Sequence, residues 1–143
     1  MSISGPYDND NVFAKILRGE LPCIKVLETE HILAFMDAFP QSDGHTLVIP
    51  KAPSRNILDT SGKNLGRIIG TTQKVSAAIN TALEPDGIRI AQFNGAFAGQ
   101  TVFHLHFHII PRFKGTVLGN HGGAAADPEK LEGFAARIRA HLD

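Results

Sequence analysis

Three histidines alternate with apolar residues in the run His104-Leu105-His106-Phe107-His108. A two-residue period is typical of a β-strand, in which successive side chains point to opposite faces of a sheet. We therefore expect a strand over Val102–Ile110, closed by Pro111, with its apolar residues facing the core. The three imidazoles would then form a row on the other face, spaced about 6.6–7 Å apart.

Such a row can serve several chemistries, because the imidazole pKa of about 6.5 leaves both protonation states accessible near neutrality. Imidazole can act as a general base, a metal ligand, a nucleophile toward phosphorus or a proton donor to an anion. A solvated polar face is the plainest alternative. A zinc site is the stronger competitor, since two or three histidines on one strand can ligate zinc. No acidic residue adjoins the row, although ligands distant in sequence stay open.

The loop before the row favours an anion. Residues Asn94 to Thr101 include Gly95, Gly99 and Gln100, and glycines let backbone N–H groups approach a ligand closely. A glycine-containing loop alone is weak evidence, because most such loops are only turns. The junction of this loop with the histidines predicts a phosphate beside the imidazoles.

The remaining pattern predicts an α+β fold with an antiparallel meander sheet, one long helix and shorter flanking helices. We expect a helix from Val12 behind an Asn11 cap to Gly19, strands at Ile24–Leu27, His31–Met36 and His45–Ile49, a long amphipathic helix over Leu65–Leu83, a strand at Ile88–Phe93, and a helix over Pro128–Leu142 capped by Asp127.

The length of 143 residues suits one domain. We expect residues 1–10 to form a flexible N-terminal lead-in and residues 11–143 to form the single domain. The Gly- and Ala-rich segment Lys114–Ala126 is expected to be a mobile loop within that domain.

Composition excludes several classes of partner. The 14 basic and 14 acidic residues cancel, so the chain lacks the positive field that non-specific nucleic-acid binding requires. The longest apolar run, Ile32–Met36, is far shorter than the roughly 20 residues of a membrane helix. The first ten residues have no signal-peptide pattern, so we expect a cytoplasmic protein. The single cysteine, Cys23, is expected to be a packed residue without a catalytic role.

The run from Gly99 to Arg112 resembles the signature of the histidine triad (HIT) family, in which three histidines alternate with apolar residues after a Gly-Gln pair. The stretches Val12–Pro22, Leu33–Asp37 and Gly44–Lys51 resemble the preceding family blocks in the same order. The resemblance therefore covers Val12 to Arg112.

The resemblance implies a nucleotide hydrolase or nucleotidyl transferase and a role for each histidine of the triad. His106 would be the nucleophile that attacks the α-phosphorus and holds the nucleotidyl group as a phosphoramidate. The carbonyl of His104 would fix the tautomer of His106. His108 would hydrogen-bond the phosphate oxygens, with help from Thr101 and the region of Gln100.

Residues away from the triad also receive roles by resemblance. His45 would be a further active-site histidine, and Asp37 would accept hydrogen bonds from both ribose hydroxyls. Taken alone, His45 is an ordinary strand residue and Asp37 an ordinary turn former. The aromatic and aliphatic side chains Phe13, Ile16 and Phe35 would form an apolar slot for the base, and plain core packing is an equal alternative. Asn94, Gly99, Gln100 and Thr101 would contact the nucleotide.

The chain also departs from the family pattern. Relatives that carry zinc have Cys-x-x-Cys at the opening helix and a histidine after the Ile-Pro-Lys block, where this chain has Asn11, Ala14 and Pro53. We therefore expect no metal and no cofactor. The family also implies a homodimer acting on a purine nucleotide, with a nucleoside phosphoramidate or dinucleoside polyphosphate as substrate. A nucleotide sensor with negligible turnover and a metal-dependent hydrolase remain the alternatives.

Overall fold

The computed structural model describes residues 3–120 and 123–142. The helices are α1 (Val12–Leu17), α2 (Gly62–Leu83) and α3 (Pro128–Arg139), and the strands are β1 (Lys25–Glu28), β2 (Ile32–Met36), β3 (Thr46–Pro50), β4 (Gly87–Ala91) and β5 (Phe107–Arg112). The five strands form one antiparallel sheet in the order β1-β2-β3-β5-β4. The expected α+β fold is confirmed, and its first three strands form the meander.

The helices begin where the sequence places good caps. The Asn11 side chain accepts a hydrogen bond from the Ala14 N–H at 2.9 Å, and Asp127 caps α3 before Pro128. The long helix starts three residues earlier than expected, because Ser61 accepts from the Asn64 N–H at 3.1 Å. It ends at Leu83, and the capping residue Glu84 adopts a left-handed conformation before Pro85.

Both faces of the central strands are covered, which explains why β2 and β3 are buried along their whole length. On one face, Ala34, Val48 and Ile109 pack against α2 and α3 in the larger core. On the other face, Phe13 of α1 packs with side chains that include Phe35 in a smaller core. The smaller core lies on the face that bears the histidines, because Phe13 contacts the rings of His104 and His106.

The prediction of a strand over Val102–Ile110 is wrong at both ends. The observed β5 begins only at Phe107 and continues through Pro111 to Arg112. The Leu105 N–H donates to the Ser54 carbonyl at 2.8 Å, so the chain before Phe107 bonds to the loop after β3. Pro111 is accommodated opposite Ile88 of the edge strand β4. Alternation still holds along this segment, because Leu105, Phe107 and Ile109 all lie in the larger core.

Two segments expected to be loose make defined contacts in their described parts. Asn56 Nδ2 donates to the Ile3 carbonyl at 2.6 Å, and Arg55 Nη1 donates to the Pro6 carbonyl at 3.3 Å. In the Gly/Ala-rich segment, the Gly119 N–H donates to Gln41 O at 2.8 Å. Residues 1–2 of the lead-in, 121–122 of that segment and 143 at the end of the domain lie outside the described residues. Flexibility of either segment stays a prediction.

Among the described residues, no helix has the length and apolar character needed to cross a membrane.

Candidate active site

A cavity of about 490 Å³ opens beside the histidines, between α1, the end of β2 and the start of α3. Seven of the expected site residues line it: Phe13, Ile16, Phe35, Asp37, Thr101, His106 and His108. The wall is mainly apolar, with the carboxylate and the two imidazoles as its buried polar groups. An enclosed apolar space with a few convergent polar groups is the usual form of a small-molecule site.

His106 faces this cavity with a defined tautomer. Its Nδ1 lies 2.7 Å from the His104 carbonyl oxygen, which can only accept, so Nδ1 carries the hydrogen. The neutral ring therefore has its lone pair on Nε2. The edge of Phe13 packs against the imidazole at 4.9 Å between centroids, which fixes the plane of the ring. The arrangement supplies an oriented nitrogen nucleophile.

His104 does not line the cavity and instead supports His106 from behind. Its Nε2 donates to the Pro50 carbonyl at 2.8 Å, and its Nδ1 lies 2.5 Å from the Tyr7 hydroxyl. The side chain is fully buried. Burial lowers the pKa of His104, although the hydrogen bond to Pro50 opposes this effect, so the ring stays neutral near pH 7.

Asp37, His45 and His108 form a buried chain beside the nucleophile. The Gln41 N–H donates to His45 Nδ1 at 3.0 Å, so the hydrogen of neutral His45 is on Nε2. That nitrogen lies 3.0 Å from His108 Nδ1 and 3.4 Å from Asp37 Oδ2. His108 Nδ1 therefore accepts from His45, and the hydrogen of neutral His108 is on Nε2, where it can donate.

The same three side chains are the candidate metal ligands, since one ligand atom of each lies within 4.8 Å of the others. A neutral histidine that binds a metal through Nε2 must carry its hydrogen on Nδ1 and donate it to an acceptor. His45 Nδ1 instead faces the Gln41 N–H donor. The hydrogen bonding of His45 therefore fits a proton-sharing chain better than a metal site.

The loop before the triad is bonded to itself and to the loop after β3. Gln100 accepts from the Gly95 N–H at 2.8 Å and donates to the Arg55 carbonyl at 2.8 Å. Asn94 accepts from the Ile57 N–H at 3.0 Å and also pairs with Gln92. The N–H groups of Ala98, Gly99 and Gln100 donate within the loop. Apart from Thr101, the expected loop residues Asn94, Gly99 and Gln100 are not part of the cavity wall, and a direct contact with nucleotide stays a prediction for them.

Two parts of the site stand out among those that the sequence did not predict. The far wall of the cavity comes from the start of α3 and the preceding turn, through Ala125, Ala126, Pro128 and Leu131. Neither the spacing nor the chemistry of these residues indicates a ligand. The other omission is Tyr7, and its signal was present in the sequence, since the only tyrosine of the chain lies in an otherwise polar lead-in.

The chain is similar to known proteins over the segments that build this site. The family model described as "HIT domain" matches residues 18–115, which include every histidine of the site. The chain belongs to the histidine triad family. Among curated HIT proteins, "Protein hit" of Bacillus subtilis is 39% identical over 92% of this chain and 93% of its own length. Adenosine 5'-monophosphoramidase hnt1 of Schizosaccharomyces pombe is 42% identical over 71% of this chain and 73% of its own length.

A solved HIT structure agrees with the fold as well. The Hit-like protein from Bartonella henselae, described as involved in cell-cycle regulation and crystallised with an unknown ligand, is 48% identical. It superposes with a TM-score of 0.91 over 96% of this chain and 100% of its own length. The family assignment and the α+β architecture therefore rest on sequence and structure together.

Proposed function

We propose that this HIT protein cleaves the bond between the α-phosphate of a purine nucleotide and its substituent, through a nucleotidyl-histidine intermediate. The observation that carries the proposal is the hydrogen bond from His106 Nδ1 to the His104 carbonyl at 2.7 Å. It leaves the lone pair of Nε2 directed into a cavity of suitable chemistry. The fission yeast relative named as an adenosine 5'-monophosphoramidase supports a nucleoside phosphoramidate as substrate, and a dinucleoside polyphosphate is the second candidate.

In the proposed first step, His106 Nε2 forms a bond to the α-phosphorus while the bond to the substituent breaks, and the substituent leaves with a proton taken from solvent. In the second step, water attacks the phosphorus and gives up a proton to solvent, the N–P bond breaks so that Nε2 regains its lone pair, and the nucleoside monophosphate is released. His108 Nε2–H would donate to a phosphoryl oxygen, where negative charge grows in each transition state. His45 would hold His108 in the donating tautomer through the 3.0 Å contact between His45 Nε2 and His108 Nδ1.

The walls of the cavity suit a nucleoside. Phe13, Ile16 and Phe35 provide apolar surface for a base but no directed polar group, so adenine and guanine should differ by roughly tenfold or less. Asp37 stands at the same cavity, and its Oδ1 already accepts from the Phe39 N–H at 2.8 Å. A carboxylate offers further lone pairs, which would accept from the ribose hydroxyls.

We also infer a homodimer. Strand β4 is at an edge of the sheet, and its Ile90 is 46% exposed. Phe97, in the loop that follows β4, is fully exposed. An exposed edge strand with apolar side chains nearby is a common pairing surface.

The deciding experiment measures turnover of nucleoside phosphoramidates, dinucleoside polyphosphates and nucleotide sugars by the wild type and His106→Ala. We expect the variant to lose at least about 10³-fold in kcat while AMP affinity changes by less than about tenfold. Acid-labile, alkali-stable nucleotide label on the quenched wild type would identify the phosphoramidate. A variant that retains a tenth of the wild-type rate would exclude His106 as the nucleophile.

Two further measurements with the same substrates distinguish the proposed hydrolase from a metal-dependent hydrolase and from a nucleotide sensor. A metal-dependent hydrolase would lose its activity in EDTA and regain it with zinc, whereas we expect activity to survive chelation. A nucleotide sensor would bind AMP with the same dependence on the cavity residues but turn over none of the substrates.

A further inference from the structure

Tyr7 contacts the triad from outside the matched HIT region, which begins at residue 18. Its hydroxyl is 2.5 Å from His104 Nδ1, and its ring meets the imidazole edge-on with centroids 5.7 Å apart. The residues are 97 positions apart in the chain, so tertiary folding alone brings them together.

The direction of the Tyr7 hydrogen bond follows from the other nitrogen of His104. Nε2 is 2.8 Å from the Pro50 carbonyl, which only accepts, so Nε2 carries the hydrogen of the neutral ring. Nδ1 then has the lone pair, and the Tyr7 hydroxyl is the donor. Hydrogen bonds from opposite sides therefore hold the His104 ring.

The orientation of His104 matters because its own carbonyl oxygen accepts from His106 Nδ1 at 2.7 Å. Because both ring nitrogens of His104 are held, the ring restrains the backbone of the same residue, and with it the acceptor that sets the tautomer of the nucleophile. Small errors in the placement of a reacting group are costly, since catalysis depends on a near-attack geometry. The contacts form a continuous path from Tyr7 through His104 to His106.

The segment that bears Tyr7 is anchored to the loop after β3. The carbonyls of Ile3 and Pro6 accept from Asn56 and Arg55, the residues directly after Ser54. Ser54 in turn accepts from the Leu105 N–H, one residue beyond His104. The lead-in therefore packs against the loop after β3, and that loop in turn packs against the triad. This arrangement places the phenol of Tyr7 beside His104.

We propose that Tyr7 is a positioning residue of the triad, which holds His104 and thereby orients the His106 imidazole for attack. This inference rests on the proposed function for its kinetic consequence, but the structural coupling from Tyr7 to His106 can be tested without any substrate.

The test compares Tyr7→Phe, which removes only the hydroxyl, with Ile3→Ala, which shortens a half-exposed side chain of the same segment and keeps the backbone carbonyl that Asn56 binds. In the wild type we expect a downfield NMR signal for the His106 Nδ1–H that exchanges slowly with water. Tyr7→Phe should shift this signal and increase its exchange at least about fivefold, and Ile3→Ala should leave it unchanged. With an active substrate, Tyr7→Phe should lower kcat about 5–30-fold and change KM by less than about twofold.

A separate titration checks the contact in solution. The chain has one tyrosine and no tryptophan, so the phenolate absorbance reports Tyr7 alone. Burial raises the pKa of Tyr7, and its titration in the folded protein should lie above the ordinary value of about 10. An unshifted titration, or a His106 signal that is identical in Tyr7→Phe and wild type, would overturn the positioning role. If the NMR changes appear while no substrate is turned over, the inference stands and the proposed function fails.

Discussion

The position of one hydrogen on His45 decides what the buried residues around it can do. Because the Gln41 N–H donates to Nδ1, the hydrogen of His45 is on Nε2, between His108 and Asp37. The group can therefore share protons and position a donor, while a metal would have to displace that hydrogen. At the scale of single residues, backbone groups determine the chemistry of these imidazoles.

Protonation of His104 should make the free energy of unfolding depend on pH. Burial places its folded-state pKa below the unfolded value of about 6.5, so the unfolded chain binds a proton first as the pH falls. The stability due to neutral His104 is then present above about pH 6.5 and is lost as the pH decreases below it. Chemical denaturation between pH 7.5 and 5 should show a shallower decline for His104→Asn than for the wild type, by up to about 1.4 kcal/mol per pH unit. An unchanged slope in His104→Asn would contradict the prediction.

Asp37 should contribute to AMP affinity by accepting hydrogen bonds from the ribose hydroxyls. We expect Asp37→Asn to weaken AMP binding by about 1.5–3 kcal/mol, the range for hydrogen bonds to a charged group. The loss should be much smaller for 2'-deoxy-AMP, because one of the bonds is already absent. Calorimetric titration of both proteins with both nucleotides gives the coupling energy. Additive effects would mean that Asp37 serves only its turn, where it bonds the Phe39 N–H.

At the scale of elements, the turn between β2 and β3 places His45 and Asp37 on the same side. The Asp37 N–H donates to the His45 carbonyl at 3.0 Å, which closes the turn. Gly44 makes this possible, with φ at +84° and the side chains of Leu83 and Pro111 packed directly over it. A Cβ added there would lie 2.4 Å from Leu83 Cδ1, which no relaxed structure permits.

Gly44→Ala should therefore destabilise the protein by about 2–4 kcal/mol, from backbone strain and overpacking together. Gly66→Ala is the matched control. Gly66 is an exposed interior position of α2, where an added Cβ would meet no described atom within 4 Å beyond its own helix turns. Alanine there should stabilise by roughly 0.5–1 kcal/mol, because it favours the helix. Thermal unfolding of both variants measures the two changes in stability. Equal shifts of Tm with the same sign would show that the backbone at Gly44 is not constrained.

At the scale of the whole molecule, the sheet ends at β4, and Ile90 of that strand is directed toward the larger core without being fully covered. If a second copy pairs here, sedimentation should give a dimer at micromolar concentration, and Ile90→Lys should convert it to a monomer. Val117→Lys, at a position 92% exposed in the loop after β5, should leave the dimer intact. A monomeric wild type at these concentrations would contradict the homodimer.

Local sequence patterns predict the fold class, the caps of the first and last helices, and the face on which the histidines lie. These follow from local rules, since apolar periodicity, Asn11 and Asp127 act over a few residues. Seven of the site residues implied by the resemblance line one cavity, because the order of the motifs is tied to the fold.

Contacts between residues far apart in the chain determine where β5 begins, which nitrogens of His45, His104 and His108 carry a hydrogen, and what closes the site, and the sequence patterns predict none of these. Alternation identifies faces, but it does not show that Leu105 bonds to Ser54 in place of a neighbouring strand. The tautomers depend on groups far along the chain, such as Pro50 and Tyr7 for His104. The wall from the start of α3 has no local signal, because its small apolar residues become a ligand surface only when α3 packs beside β2.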